Sequence, residues 1–201
     1  MTALLAGDEE AAHALVEQAR GANGSRADVF ADLLQPAQVQ VGELWYSGDI
    51  GVDDEHRATA VVARLVDRLL PTPSDRPVPP GSLCLLTTLG SELHVLGLKV
   101  LSMALEDDGW AVEKPPPMSA GDLVAEARRS QARLVGVSAA YLPSTEALRG
   151  AVEMLRLEGV PVLVGGSAFN RSPDLWRKVG AEGHGSDARV AVGLARKLVA
   201  R

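Results

Sequence analysis

Three short, continuously apolar runs, Leu83 to Thr88, Leu134 to Ser138 and Val162 to Gly165, restrict what the second half of this chain can fold into more than any other feature. Each has strand length and no polar alternation. Between and after them lie helical patterns at Leu96 to Asp108, Ala120 to Ser130 and Thr145 to Glu158. Strands that are apolar on both sides need cover on both faces, so the alternation predicts a parallel sheet between two layers of helices. A weaker strand is expected near Ala111 to Lys114, and a final helix over Ala188 to Val199 completes the wrap.

The first half is helical in pattern. Residues Asp8 to Arg20 place Ala12, Leu15, Val16 and Ala19 on one face, and Gly21 and Gly24 end the run. Ser25 is a suitable N-cap for a second helix carrying Val29, Phe30, Leu33, Leu34, Val41, Leu44 and Trp45, which Pro36 should kink. A third helix starts at Asp53 or Asp54 and runs to Leu70, while Met1 to Asp8 read as a frayed terminus. Five prolines fall within residues 71–80, as expected of a semi-rigid linker. The organisation is therefore a helical bundle over 1–70, a linker over 71–81 and an α/β domain of flavodoxin- or Rossmann-like type over 82–201.

Composition narrows the function classes. With 46% hydrophobic residues the chain can bury a substantial core, and its longest apolar runs are far shorter than a membrane span. The formal charge of −6 argues against direct nucleic-acid binding, which needs a concentrated basic surface. The lone cysteine, Cys84, sits inside an apolar strand and reads as a buried, inert thiol. The expectation is a cytoplasmic protein with neither disulfide nor membrane contact.

Chemistry concentrates at the ends of the expected strands. Glu92-Leu93-His94-Val95-Leu96-Gly97 follows the first strand, where open α/β sheets bind ligands, and a carboxylate two residues before an imidazole can orient it toward a metal. Ser138, Gly165-Gly166 and Gly183-His184-Gly185 fall at the same sheet edge, where glycines permit close approach to backbone. Neither a G-x-x-x-x-G-K-[ST] phosphate loop nor a strand-linked G-x-G-x-x-G is present. In the first half, Trp45, Val52, Glu55 and His56 supply a large indole, a small apolar contact and two hydrogen-bonding groups. Taken alone, Trp45 reads as a core aromatic and Glu55-His56 as an exposed helix start. His13 reads as solvated on a polar helix face.

Together these residues resemble the cobalamin-binding domains, marked by D-x-H-x-x-G, a serine strand end and a Gly-Gly strand end. Here the set is Glu92-x-His94-x-x-Gly97, Ser138 and Gly165-Gly166. The resemblance implies that His94 is the lower cobalt ligand, oriented by Glu92, and that the cofactor's displaced base enters a slot by Ser138 and the glycines. His184 either contacts the cofactor edge or caps a turn. The stretch from Trp45 to His56 is further similar to the helical cap of CarH-type adenosylcobalamin photoreceptors, which implies that Trp45, Val52, Glu55 and His56 cover the upper face. Some members of that family carry a light-trapping histidine directly after the capping tryptophan, where this chain has Tyr46, and the expectation is a protein without the family's DNA-binding domain.

The function so implied is a sensor, a binding protein more than an enzyme. Light would cleave the cobalt–carbon bond of adenosylcobalamin and rearrange the cap, and the signal would pass to a regulatory partner or through homo-oligomers. A noncovalent, biliverdin-like bilin is a second chromophore that the resemblance permits. The competing readings are a corrinoid carrier protein of a methyltransferase system and a flavodoxin-like scaffold without cofactor. Carriers typically continue the histidine motif as G-K-N, where this chain has Gly97-Leu98-Lys99.

Overall fold

A computed structural model describes residues 1–21, 26–69, 81–90, 95–142 and 144–199. The linker expected over 71–81 lies outside them apart from Gly81, as do Ser25, Glu92 and His94. The chain separates into two compact units, Met1–Ser74 and Asp75–Arg201.

The first unit contains α1 (Thr2–Ala6), α2 (Glu9–Gly21), α3 (Arg26–Val29), a π-helical segment (Phe30–Leu34), α4 (Gln35–Ser47) and α5 (Val52–Leu69). The terminus expected to fray is helical instead. Leu4 is buried, Gly7 closes α1 in the left-handed region, and Arg57 of α5 donates to the Leu5 carbonyl at 3.0 Å. Pro36 does not break its helix, because it lies in the first turn of α4, where a missing N–H is least costly. The strain is absorbed just before it: Gln35 N–H bonds back five residues to the Phe30 carbonyl, the wider turn of a π-helix. Val61, Val62, Leu65 and Val66 of α5 are fully buried and form the centre of this unit, with Val41 of α4 and Val16 of α2. Glu9 of α2 pairs with Arg64 and Arg68 of α5 at 2.6 and 2.7 Å.

The second unit runs β1 (Leu83–Thr88), α6 (Leu96–Asp107), β2 (Ala111–Glu113), α7 (Ala120–Ser130), β3 (Leu134–Ser138), α8 (Thr145–Leu157), β4 (Val162–Gly165), α9 (Ser167–Arg171), α10 (Leu175–Val179), β5 (Gly183–Gly185) and α11 (Ala188–Val199). The sheet is wholly parallel in the order β2-β1-β3-β4-β5, the flavodoxin-like arrangement. Alternation along the strands divides the core. Leu85, Val135, Val137, Val162 and Val164 pack against α7, α8 and Phe169 of α9, whereas Cys84, Leu86, Leu134 and Leu163 pack against α6 and α11. Burial pushes the Cys84 thiol far above the usual thiol range, so it is inert as a nucleophile.

One strand escaped the apolar pattern. Gly183-His184-Gly185 is a paired edge strand, β5, and its glycines answer to packing: a Cβ on Gly183 would lie 2.7 Å from Leu163, and one on Gly185 would lie 2.6 Å from Ala191 of α11. α11 crosses too closely for side chains there. Among the described residues, no helix is long and apolar enough to cross a membrane.

Candidate functional site

The strand order reverses between β1 and β3, and ligands of open α/β sheets bind outside the carboxyl ends of the strands at such a point. β1 leaves the sheet there. Leu89 still bridges to Met118, and Gly90 N–H donates to the Met118 carbonyl at 2.9 Å, so the described chain is held as far as Gly90, two residues before Glu92. It resumes at Val95, which precedes the first turn of α6. Gly97 in that turn is exposed, and a Cβ on it would meet nothing within 4 Å among the described residues. Among those residues, packing does not demand this glycine.

Sheet register assembles the other strand-end residues. Thr88 pairs with Ser138, Ser138 with Gly165, and Gly165 with Gly185, in one row across four strands. By alternation from Leu86, Leu134 and Leu163, this row lies on the face covered by α6 and α11. No side chain on it exceeds threonine, while Ser138 and Gly165 are only half-buried. Such a low row suits a slender ligand tail lying between the sheet and the start of α6. Register thus brings Ser138 and Gly165 together as neighbours, with Thr88 and Gly185 in the same row, an alignment visible only once the register is known.

Gly166 has a different reason. Its φ is +90° and its ψ 173°, and a Cβ would stand 2.5 Å from the Ala139 carbonyl oxygen and 2.9 Å from the Ala139 nitrogen. Ala139 N–H donates to the Gly165 carbonyl, and the Ala139 carbonyl accepts from Ala168 N–H, both at 3.0 Å. The fold itself requires glycine here, to lock the loop after β3 against the loop after β4.

His184 is tied to α9. Asn170 Nδ2 donates to the Ser186 carbonyl at 3.1 Å, which turns its Oδ1 toward His184 Nε2 at 2.8 Å. The ring nitrogen therefore carries a proton and donates. The ring also lies near Phe169, with centroids 6.4 Å apart. Asn170 thus fixes the His184 tautomer, a pairing that strand and helix patterns do not disclose. Burial holds the His184 pKa below its ordinary 6.5, so between these two values the unfolded chain binds more protons than the folded one. Stability contributed by the neutral ring is accordingly present above pH 6.5 and lost as pH falls below it. Thermal melting of the ligand-free protein should drop on acidification from pH 7 to 5, and less steeply in His184→Asn.

In the first unit, the described cap candidates gather at one end of the α4 and α5 pair. The chain between them turns at Gly48, in the left-handed region, with Asp49 N–H on the Leu44 carbonyl at 2.9 Å. Leu34, Gln38, Val41 and Trp45 recur on one stripe leading to this turn, and Val52, Glu55, Thr59 and Val62 recur on one leading away. Burial is complete at Val41 and Val62 but falls off toward the turn, where Trp45 is 51% and Val52 49% exposed. Trp45 is therefore not a core aromatic. Glu55 Oε2 lies 3.7 Å from His56 Nε2, and the His56 side chain is 73% exposed. Tyr46 is almost fully exposed. His13 lies 3.8 Å from Glu17 on the surface of α2. Among the described residues, no three or more His, Cys, Asp or Glu side chains gather as a metal site.

The chain is 28% identical over 120 residues to the dimethylamine corrinoid protein 3 of Methanosarcina acetivorans, an alignment covering 56% of this chain and 54% of that protein. It thus spans about half the length of the curated relatives it matches. Among solved structures, it is similar to the monomethylamine corrinoid protein of Methanosarcina barkeri, with a TM-score of 0.76 and 16% identity over 98% of this chain and 95% of that one. It is also similar to a chain of the methanol:cobalamin methyltransferase complex of the same organism, with a TM-score of 0.52 and 18% identity over 99% and 77%. Two models, each described as a B12 binding domain, match residues 1–70 and residues 82–193. The second spans more than half of the 201 residues, and the chain belongs to this B12-binding family.

Proposed function

We propose that this chain is a corrinoid carrier: it holds cobalamin at the carboxyl edge of the sheet and presents it to a methyltransferase partner. The observation that carries the proposal is the row Thr88, Ser138, Gly165 and Gly185 beside the open Gly97, in a chain whose curated relatives are corrinoid proteins. Bound cobalamin supplies a cobalt centre that takes up and releases one organic group. The chain supplies everything around it. His94 would ligate cobalt from below and Glu92 would orient its ring, while Ser138, Gly165 and Gly166 would line the tail slot and His184 its far edge. Trp45, Val52, Glu55 and His56 would be further cofactor contacts. Partner binding follows the precedent of the methanol:cobalamin methyltransferase complex.

A second reading is favoured by one observation, the exposed set Trp45, Val52 and His56 with the half-sheltered Glu55 at the end of α4 and α5. Such a set suits enclosure of a bulky adenosyl group, and the chain would then be an adenosylcobalamin light sensor. A noncovalent bilin belongs with this reading, since the only cysteine, Cys84, is buried. Red absorbance after loading with biliverdin tests that addition.

Absorbance titration and size-exclusion chromatography, in darkness and after illumination, separate the two. A carrier is expected to bind methylcobalamin at least as tightly as adenosylcobalamin and to elute at the same volume before and after light. Strong preference for adenosylcobalamin together with a light-dependent elution shift would overturn the carrier in favour of the sensor. Retention of neither cobalamin would defeat both.

A further inference from the structure

We infer that Gln38 and Thr59 are positioning residues that aim the Glu55 carboxylate through a directional hydrogen-bond chain across the α4 and α5 pair. The inference rests on the proposed role of Glu55 as a cofactor contact. Gln38 Nε2 donates to Thr59 Oγ1 at 2.5 Å, and Thr59 Oγ1 donates to Glu55 Oε1 at 2.7 Å. A threonine hydroxyl has one proton, and an amide nitrogen can only donate, so the direction of the chain is fixed from Gln38 to Glu55. With Oε1 engaged, Oε2 is the oxygen turned toward His56 at 3.7 Å.

Gln38 is a costly residue at its place. It interrupts the apolar stripe between Leu34 and Val41, and its Oε1 is buried without a hydrogen-bond partner. A buried acceptor without a partner costs free energy that leucine or methionine at the same position would avoid. The amide is explained by what its other end does. Each donor in the chain polarises the next, so Glu55 receives a stronger and better-aimed bond than a lone threonine supplies. The π-helical segment ends at Leu34, immediately before α4, and its wider turn helps set which α4 residues meet α5.

The test uses the full chain with adenosylcobalamin and methylcobalamin as probes. Thr59→Val keeps the shape and removes the hydroxyl, and it should weaken binding of the preferred cobalamin about tenfold, with Thr59→Ser restoring it. Gln38→Leu should weaken it roughly threefold without loss of thermal stability. Should Thr59→Val fail to fold, Gln38→Leu carries the test. A readout in the cofactor-free protein is the Gln38 side-chain amide NMR signal. It should shift on Glu55→Gln in the wild-type background and stay in place when Thr59 is already valine. If Glu55→Gln weakens binding but leaves the Gln38 amide signal in place, and Thr59→Val and Gln38→Leu leave affinity unchanged, the relay is overturned and the role of Glu55 stands. If Glu55→Gln leaves affinity unchanged, the role of Glu55 falls, and the inference with it.

Discussion

His94→Ala is expected to lower cobalamin affinity by at least ~100-fold while leaving the melting temperature of the cofactor-free chain where it was. The reason lies in what each part of the second unit depends on. The cores on both sheet faces are built from Leu85, Leu86, Leu134, Val135, Val162 and Leu163 with their covering helices. A cobalt ligand at His94 would act on the cofactor, and its replacement removes none of these core side chains. Removal of even an orienting partner typically costs a metal site 10–100-fold in affinity, so loss of the ligand itself belongs at the upper end of that range or beyond it. Titration monitored by visible absorbance gives the affinity, and the spectrum of whatever still binds should lack the nitrogen-ligated form. Unchanged affinity and spectrum would remove His94 from the metal. Glu92→Gln is the companion measurement, with a smaller loss, because it retains the ligand and alters only its orientation.

Gly166→Val is expected to act on the fold first, by at least ~3 kcal/mol. At φ +90° and ψ 173° this residue occupies a region that side chains avoid, and its would-be Cβ meets backbone atoms of Ala139, which cannot rotate away. Relief would require parting the loops after β3 and β4. That parting breaks the bonds from Ala139 N–H to the Gly165 carbonyl and from Ala168 N–H to the Ala139 carbonyl, and it disturbs Ser138 and Gly165 in the proposed slot. Urea unfolding should show a lower midpoint, and cobalamin binding should weaken with it. Gly97→Ala is the matched control. Its Cβ has open space and its backbone is helical, so stability should hold or rise by roughly 0.5–1 kcal/mol. A Gly166→Val protein as stable as wild type would mean that the two loops are not locked together.

The contrast between Gly166 and Gly97 shows what a motif contains. Both are glycines of the family pattern, yet one is demanded by the chain's own backbone and the other by nothing within the described structure. A sequence presents the two alike. The same holds for Trp45, which apolar periodicity assigns to a core as readily as to a ligand face. Its position at the open end of the α4 and α5 stripes decides for the surface.

What the sequence determined by itself was the order and kind of the long elements, because burial imposes a period of 3.6 residues on helices and unbroken apolarity on covered strands. Leu83 to Thr88, Leu134 to Ser138 and the α8 stripe through Leu148, Val152 and Leu155 could be read that way. Motif chemistry added Ser138 and Gly165-Gly166 as residues of one sheet edge, and it proposes His94, which lies outside the described residues. Tertiary structure decided the features that depend on a second segment. β5 is a strand through its pairing with β4, and Leu163 and α11 leave no room for side chains at Gly183 and Gly185, which erases the apolar signal a strand would show. The row from Thr88 to Gly185 exists only through pairing register, and the tautomer of His184 only through Asn170. The aim of Glu55 is set from Gln38, on another helix and 17 residues away in sequence. Periodicity reports how one segment meets the core, whereas these contacts are properties of pairs.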